Sequence, residues 1–221
     1  MPHVHQEELN LDEFAAIYRA ISPERIRKYL FAAGHNPDRA MLLYIWNARI
    51  GEAFHLPIQA VEVALRNCVN SALVARYGEE WWLSPAFLAI ADHDRKADID
   101  AVRRRIKHRK QKEDIGQVVA GLSFGFWVGM LQPRYNPDLW SRQLKVAFPY
   151  LPPDRSRKTL AKAAGEIAGL RNRISHHEPL IERDHTKDYK LVMEMLGCLC
   201  PHKRDWIEPY CRVSAIIREK P

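Results

Sequence analysis

The chain has 221 residues, 47% of them hydrophobic and 28% charged, and its 34 Lys and Arg against 27 Asp and Glu give a formal net charge of +7. That apolar content closes a core without disulfide staples, which excludes a disordered tail, a collagen-like repeat and a cysteine-scaffold mini-protein. The basic balance favours a polyanionic partner, nucleic acid ahead of an anionic membrane.

Residues 1–10 hold two His and two Glu but no apolar run, so no export signal is expected there. Together with four cysteines at scattered positions (68, 198, 200 and 211), this predicts reduced thiols in a cytoplasm. The first helix is expected over Leu11 to Ala20. Ser22-Pro23 opens a short second one carrying Ile26, Tyr29 and Leu30. Asn36-Pro37 opens another, with Leu42, Leu43, Trp46, Ile50 and Phe54 on its apolar side. Pro57 reads as the first turn of a new helix, whose stripe of Val61, Ala64, Leu65, Cys68, Val69, Ala72 and Leu73 stops near Gly78. Ser84-Pro85 starts a long segment that turns charged and runs to about Asp114.

Ile115 to Pro133 carries no charge over 19 residues, close to the ~20 needed to span a bilayer. Its apolar heart, Val118 to Leu131, is shorter and is interrupted by Ser123. The segment is therefore expected to be a buried core helix, with an irregular buried stretch as the alternative. Gly121, Gly125 and Gly129 at four-residue spacing predict close helix approach. Asn136-Pro137 and Pro152-Pro153 break the chain before a helix from Lys158 that carries Leu160, Ala163, Ala164, Ile167, Leu170 and Ile174. Leu191 to Leu199 and Trp206 to Ile217 read as the last two. No two-residue alternation, hairpin dipeptide or long repeat occurs. The expectation is an all-α bundle of about eight to ten helices, one domain over residues 1–221 with a soft subdivision near 84–86.

The sequence holds no GxxxxGK[ST], GxGxxG or HExxH. Cys198-x-Cys200-x-His202 is tighter than the usual zinc spacing, so these cysteines read as helix packing, and neither metal nor cofactor is expected. The chemistry-bearing stretch is Arg171-Asn172-Arg173-Ile174-Ser175-His176, followed by His177-Glu178-Pro179. Spacing alone does not single it out, because Arg103 and His108 stand equally far apart. Placement does. Arg171 continues the stripe of Leu160, Ala164 and Ile167, so a permanent charge stands where Leu is expected. Either it meets a cleft or a symmetry mate, or it pairs plainly with a core carboxylate such as Glu62. Five residues of helix leave His176 about 140° away from Arg171. Pro179 disfavours helix at Glu178, so the helix is expected to end within the motif, and an unwinding terminus with the long Arg arm is one way for the two to converge. Convergence across two chains is the alternative.

Several further stretches stand in order along the chain: Leu43-Tyr44-Ile45-Trp46-Asn47, Val61 to Asn67, Tyr77-Gly78 with Trp81-Trp82, Leu122 to Trp127, Leu139-Trp140 with Phe148-Pro149, then Arg171-Asn172 with His176-His177. The set resembles the Abi-like family of bacterial abortive-infection proteins, within the HEPN superfamily. The resemblance implies an all-helical fold and a homodimer that cleaves RNA without a metal, with Arg171 and His176 in the active site and Asn172 as polar support. His177, Glu62 and Arg66 are second-tier site residues. The other Arg-Asn pair, Arg66-Asn67, has Ser71 where a His would stand. A histidine that takes the 2′-hydroxyl proton or protonates the 5′-oxygen supplies acid–base catalysis, and an arginine stabilises the phosphorane.

Arg103, Arg104, Arg105, Lys107, Arg109, Lys110 and Lys112 crowd ten residues without an acid, as either an RNA backbone track or a solvated face. The functional expectation is a toxin or abortive-infection effector in phage defence, held in check by a protein or small-RNA antitoxin. A catalytically inactive RNA-binding or protein-interaction module on the same fold is the alternative.

Overall fold

The computed structural model describes residues 11–221, and the expectation for residues 1–10 lies outside them. The helices are α1 (Leu11–Ile21), α2 (Pro23–Ala32), α3 (Pro37–Tyr77), α4 (Pro85–Ile90), α5 (His93–His108), α6 (Ile115–Gly121), α7 (Phe124–Gly129), α8 (Ser141–Ala147), α9 (Arg157–Ser175), α10 (His185–Leu199), α11 (Pro201–Ile207) and α12 (Val213–Arg218). Short 3-10 and π turns at Trp81–Leu83, Pro133–Tyr135, Asn136–Trp140 and Glu208–Tyr210 join them. No strand occurs among the described residues, and the chain is all-α.

The helix α3 is the spine. At 41 residues it is about 60 Å long, and it packs on α2, α7, α8, α9, α10, α11 and α12. Asn36 caps its start, accepting from the Arg39 amide at 2.9 Å, and Gly78 at φ 91 ends it. Here the sequence expectation needs correction: Pro57 does not begin a helix but lies inside this one. A proline in a helix interior forfeits a backbone hydrogen bond and crowds the preceding turn. Pro57 is tolerated because it and its neighbours Phe54, Ile58 and Val61 are all buried, so tertiary packing carries the helix through.

Elsewhere the expected long helices are divided. The segment after Pro85 splits at Ala91–Asp92, where Asp92 accepts from the Arg95 amide at 2.8 Å and starts α5. The uncharged stretch 115–133 becomes α6 and α7, because Ser123 caps a new start through the Phe126 amide at 3.2 Å. Pro209 falls in the turn between α11 and α12 and breaks the expected last helix. These splits raise the count above ten. Gly121 and Gly129 do serve close approach: an added Cβ would lie 2.6 Å from a Val102 methyl at the first and 2.0 Å from the Arg95 guanidinium at the second.

The core is one connected set of buried side chains from Ile26 to Ile216. Its densest part is aromatic, with Trp81 facing Trp82, Phe87, Phe126 and Trp127 at centroid distances of 5.2–6.2 Å. Trp46 donates from Nε1 to the Ile216 carbonyl at 2.7 Å, which ties α3 to α12.

Beside Trp46 lies His185, 5% exposed, its ring edge-on to the indole at 5.1 Å and its Nε2 buried without a hydrogen-bond partner among the described residues. Burial pushes its pKa below the ordinary 6.5, opposed by Asp188 and reinforced by Lys220 and Arg183. The folded state therefore refuses a proton that the unfolded chain accepts. Stability contributed by neutral His185 is full above 6.5 and falls as pH drops below it. His185→Phe is expected to flatten that acid limb in urea unfolding between about pH 8 and about pH 5. An identical limb in the variant would remove His185 from the account.

Candidate functional site

The candidate site is the end of α9. Ser156 starts this helix with a capping box, and Leu160, Ala163, Ala164, Ile167 and Leu170 bury its inner face. Ile174, the last apolar side chain, packs where Gly51 of α3 has no side chain, 3.5 Å from a Cβ built there. Arg171 lies between them on the rim of that face. Its side chain is 42% exposed, and its Nε stands 3.7 Å from the Glu62 carboxylate. Glu62 thus turns to α9 rather than to Arg66, one turn along α3. Arg66 donates to Asn67 Oδ1 at 3.5 Å.

The helix ends within the motif, as Pro179 led us to expect, with Ser175 its last residue and His176 its C-cap, but it keeps regular turns up to that cap. His176 is still bonded through its amide to the Asn172 carbonyl at 2.9 Å. The reversal comes one residue later: His177 takes φ 54, its amide reaches the Ile174 carbonyl at 3.0 Å, and the Glu178 amide reaches Arg173 at 2.9 Å. This is a Schellman cap with histidine in the left-handed position that glycine usually fills. Pro179 restricts only the residue before it, and the cap satisfies that restriction beyond the helix. Arg171 and His176 therefore remain about 140° apart around one helix. Asn172 and His176, four residues apart and both exposed, share a face. His177 is exposed as well.

The turn is clamped from two sides. Arg25 of α2 donates from Nη1 to the His177 carbonyl at 2.8 Å. Asn47 of α3, 8% exposed, accepts the Leu180 amide at 2.6 Å and donates to the Glu178 carbonyl at 3.5 Å. Asn47 was visible in the sequence as a polar residue on the apolar side of its helix. Arg25 carried no such signal, because a long-range approach of α2 sets its role.

Between the end of α1, α2, α3 and this turn lies a cleft of about 990 Å³. Arg25, Tyr44, Glu52, His55 and His177 line it, above a floor that includes Tyr29. Of the expected site residues only His177 faces it; Arg171, Asn172, His176, Glu62 and Arg66 do not. Tyr29 meets Tyr44 edge-on at 5.3 Å. Burial pushes the Tyr29 hydroxyl up to about 12, with Tyr44 adding and Arg25 opposing.

The chain matches no family model, no curated protein and no solved structure.

The basic run forms the end of α5 and the loop after it. Arg103 is held by Glu113 at 2.7 Å, and Arg105 donates to the Gly121 carbonyl at 3.0 Å. These two brace α5 against its surroundings. Arg104, Lys107, Arg109, Lys110 and Lys112 are exposed and form no ion pair with a described residue. One side of α5 packs on the core through Val102 and Ile106, which are buried. Among the described residues no three His, Cys, Asp or Glu side chains gather as a metal site would require. The cysteine–histidine cluster disperses: the Cys211 thiol donates to the Ile207 carbonyl at 3.4 Å, Cys198 is buried on α10, and the His202 ring meets Tyr150 at 6.1 Å. No helix of the described residues is long and apolar enough to cross a membrane.

Proposed function

We propose that the protein is a metal-independent endoribonuclease of the Abi-like, HEPN kind, acting as a toxin in bacterial phage defence. The observation that carries this reading is the built end of α9: a guanidinium anchored by Glu62, and an exposed His176 at the helix terminus. In the proposed reaction one His176 takes the proton of the 2′-hydroxyl as that oxygen attacks phosphorus. The imidazolium so formed gives that proton to the 5′-oxygen as the P–O5′ bond breaks. The products are a 2′,3′-cyclic phosphate and a 5′-hydroxyl. Arg171 neutralises the phosphorane. The angle between Arg171 and His176 favours a homodimer in which each meets the other's counterpart across the interface. Cleavage of single-stranded RNA in EDTA, with DNA of the same sequence untouched, tests the reading. Intact RNA at high enzyme concentration would overturn it.

One observation favours a second reading, a catalytically silent RNA-binding module: the ion pair with Glu62 already gives Arg171 a structural task. Glu62→Gln separates the two, because it frees a catalytic Arg171 but merely loosens a structural one.

The exposed cations of the basic run are proposed to track the RNA backbone. Replacing Arg104, Lys107, Arg109, Lys110 and Lys112 with Gln is expected to weaken binding uniformly across sequences. It should also flatten the plot of log affinity against log salt by up to about five units of slope, roughly one per phosphate contact. An unchanged slope would make the run a solvated face. Arg103 and Arg105, already engaged, should contribute least.

A further inference from the structure

We infer that the cleft beside the α9 terminus seats one unstacked base of a single-stranded RNA, with His55 and His177 as stacking walls and Glu52 reading the base edge. The inference rests on the ribonuclease reading and names the substrate subsite that adjoins its scissile phosphate.

Three observations point there. The cleft, at about 990 Å³, falls at the upper end of the range for small-molecule sites. Its lining pairs an apolar floor of Ile21, Tyr29, Leu56 and Leu180 with a rim of imidazole, guanidinium and carboxylate. Sequence-specific proteins take bases from single-stranded RNA in this way, stacking the ring on aromatic or histidine faces and bonding its edge. Arg25 and Glu52 form no ion pair with a described residue. Glu52 is exposed and acceptor-only, so it suits a base that offers two adjacent N–H groups, as guanine does. Arg25 spends one guanidinium nitrogen on the His177 carbonyl and has others for phosphate.

The second observation is conformational. His177 holds φ 54, where a Cβ is unfavourable and glycine costs nothing. A residue kept in a strained position where it lines a cleft is a mark of function over stability. The third is connectivity. His177 follows His176 directly, so a base resting on His177 brings its own phosphate to the residue proposed to act on it.

The test uses the full chain titrated with guanosine and uridine 3′-monophosphates while the histidine ring signals are followed by NMR. Saturable shifts at His55 and His177 are expected, with the guanine nucleotide binding more tightly. His55→Ala is expected to lower affinity about tenfold, the loss of one stacking face. Glu52→Gln should erase the preference for guanine. His177→Gly should raise Tm while lowering affinity, the opposite of a merely structural residue. Lys190→Ala, on α10 and outside the cleft, should change nothing. Absent or non-saturating shifts at His55 and His177, or unchanged affinity in both His55→Ala and His177→Gly, would overturn the inference. RNA cleaved with unaltered base preference by Glu52→Gln and His55→Ala would sink the subsite and leave the ribonuclease standing. Nucleotide binding in the cleft of a protein that cuts no RNA would do the reverse.

Discussion

Replacing His176 with Ala is expected to lower cleavage of single-stranded RNA by at least about a hundredfold, and Arg171→Ala by a similar factor. The double variant should be hardly worse than either alone, because members of one catalytic unit do not contribute additively. Arg103→Ala and His108→Ala, equally spaced, should leave the chemical step nearly intact. Arg103 is engaged by Glu113, and His108 stands on an exposed end of α5 that at most attracts phosphate. His177→Ala should show a partial loss, since His177 lines the cleft, which Asn172 and His176 do not.

Mixing the two inactive proteins tests the geometry as well as the roles. If Arg171 of one copy works with His176 of the other, a mixed dimer holds one site with both residues intact. Random exchange should then restore about a quarter of the parent activity. If both residues act within one copy, every site in the mixture lacks one of them and nothing returns. His176→Ala that folds normally and cuts at the parent rate would end the assignment and leave the silent module.

The helical class was legible because apolar residues recur at helical spacing almost throughout, and that pattern is local. The helix lengths were less so. Pro57 reads as a beginning from sequence, since its cost as an interior residue is plain, whereas the burial of Phe54, Ile58 and Val61 that offsets the cost is a tertiary fact. Ser123 and Asp92 are ordinary polar residues until their side chains are seen closing on amides three positions ahead. At the site, the stripe placed Arg171 where Leu is expected, whereas its side chain stands 42% exposed at the margin of the core, and Glu62 was already the named partner on the structural reading. The helix ends within the motif as expected, but without the unwinding that was to bring Arg171 and His176 together. Proline restricts its predecessor, Glu178, and the chain meets that restriction with a reversal at His177, so the helix keeps its turns to Ser175 with His176 as its cap. The cleft itself had no local signature. Arg25, Tyr44, His55 and His177 come from three separate segments.

The clamp that holds those segments together supplies the largest expected effect on stability. Asn47 is buried, and its amide oxygen is the partner of the Leu180 amide at 2.6 Å. Asn47→Ala leaves that N–H buried and unpaired, which costs about 1–3 kcal/mol. At about 2 kcal/mol a domain of this size loses roughly 4–8 °C in Tm. Asn47→Asp retains an acceptor for Leu180 but loses the donor to the Glu178 carbonyl and brings a charge into the core. Its loss should shrink at low pH, where the carboxyl is neutral. Arg25→Ala is the contrast: an exposed side chain making one bond to the same turn, with an expected cost well under that of Asn47→Ala. Hydrogen exchange reads the difference locally, since the Leu180 amide should lose protection in Asn47→Ala and keep most of it in Arg25→Ala. Activity should follow the clamp, because His176 and His177 sit on the turn that Asn47 pins to α3. A Leu180 amide that exchanges as slowly in Asn47→Ala as in the parent would show that the turn is held by the Schellman bonds alone, and the link from buried amide to active helix end would be lost.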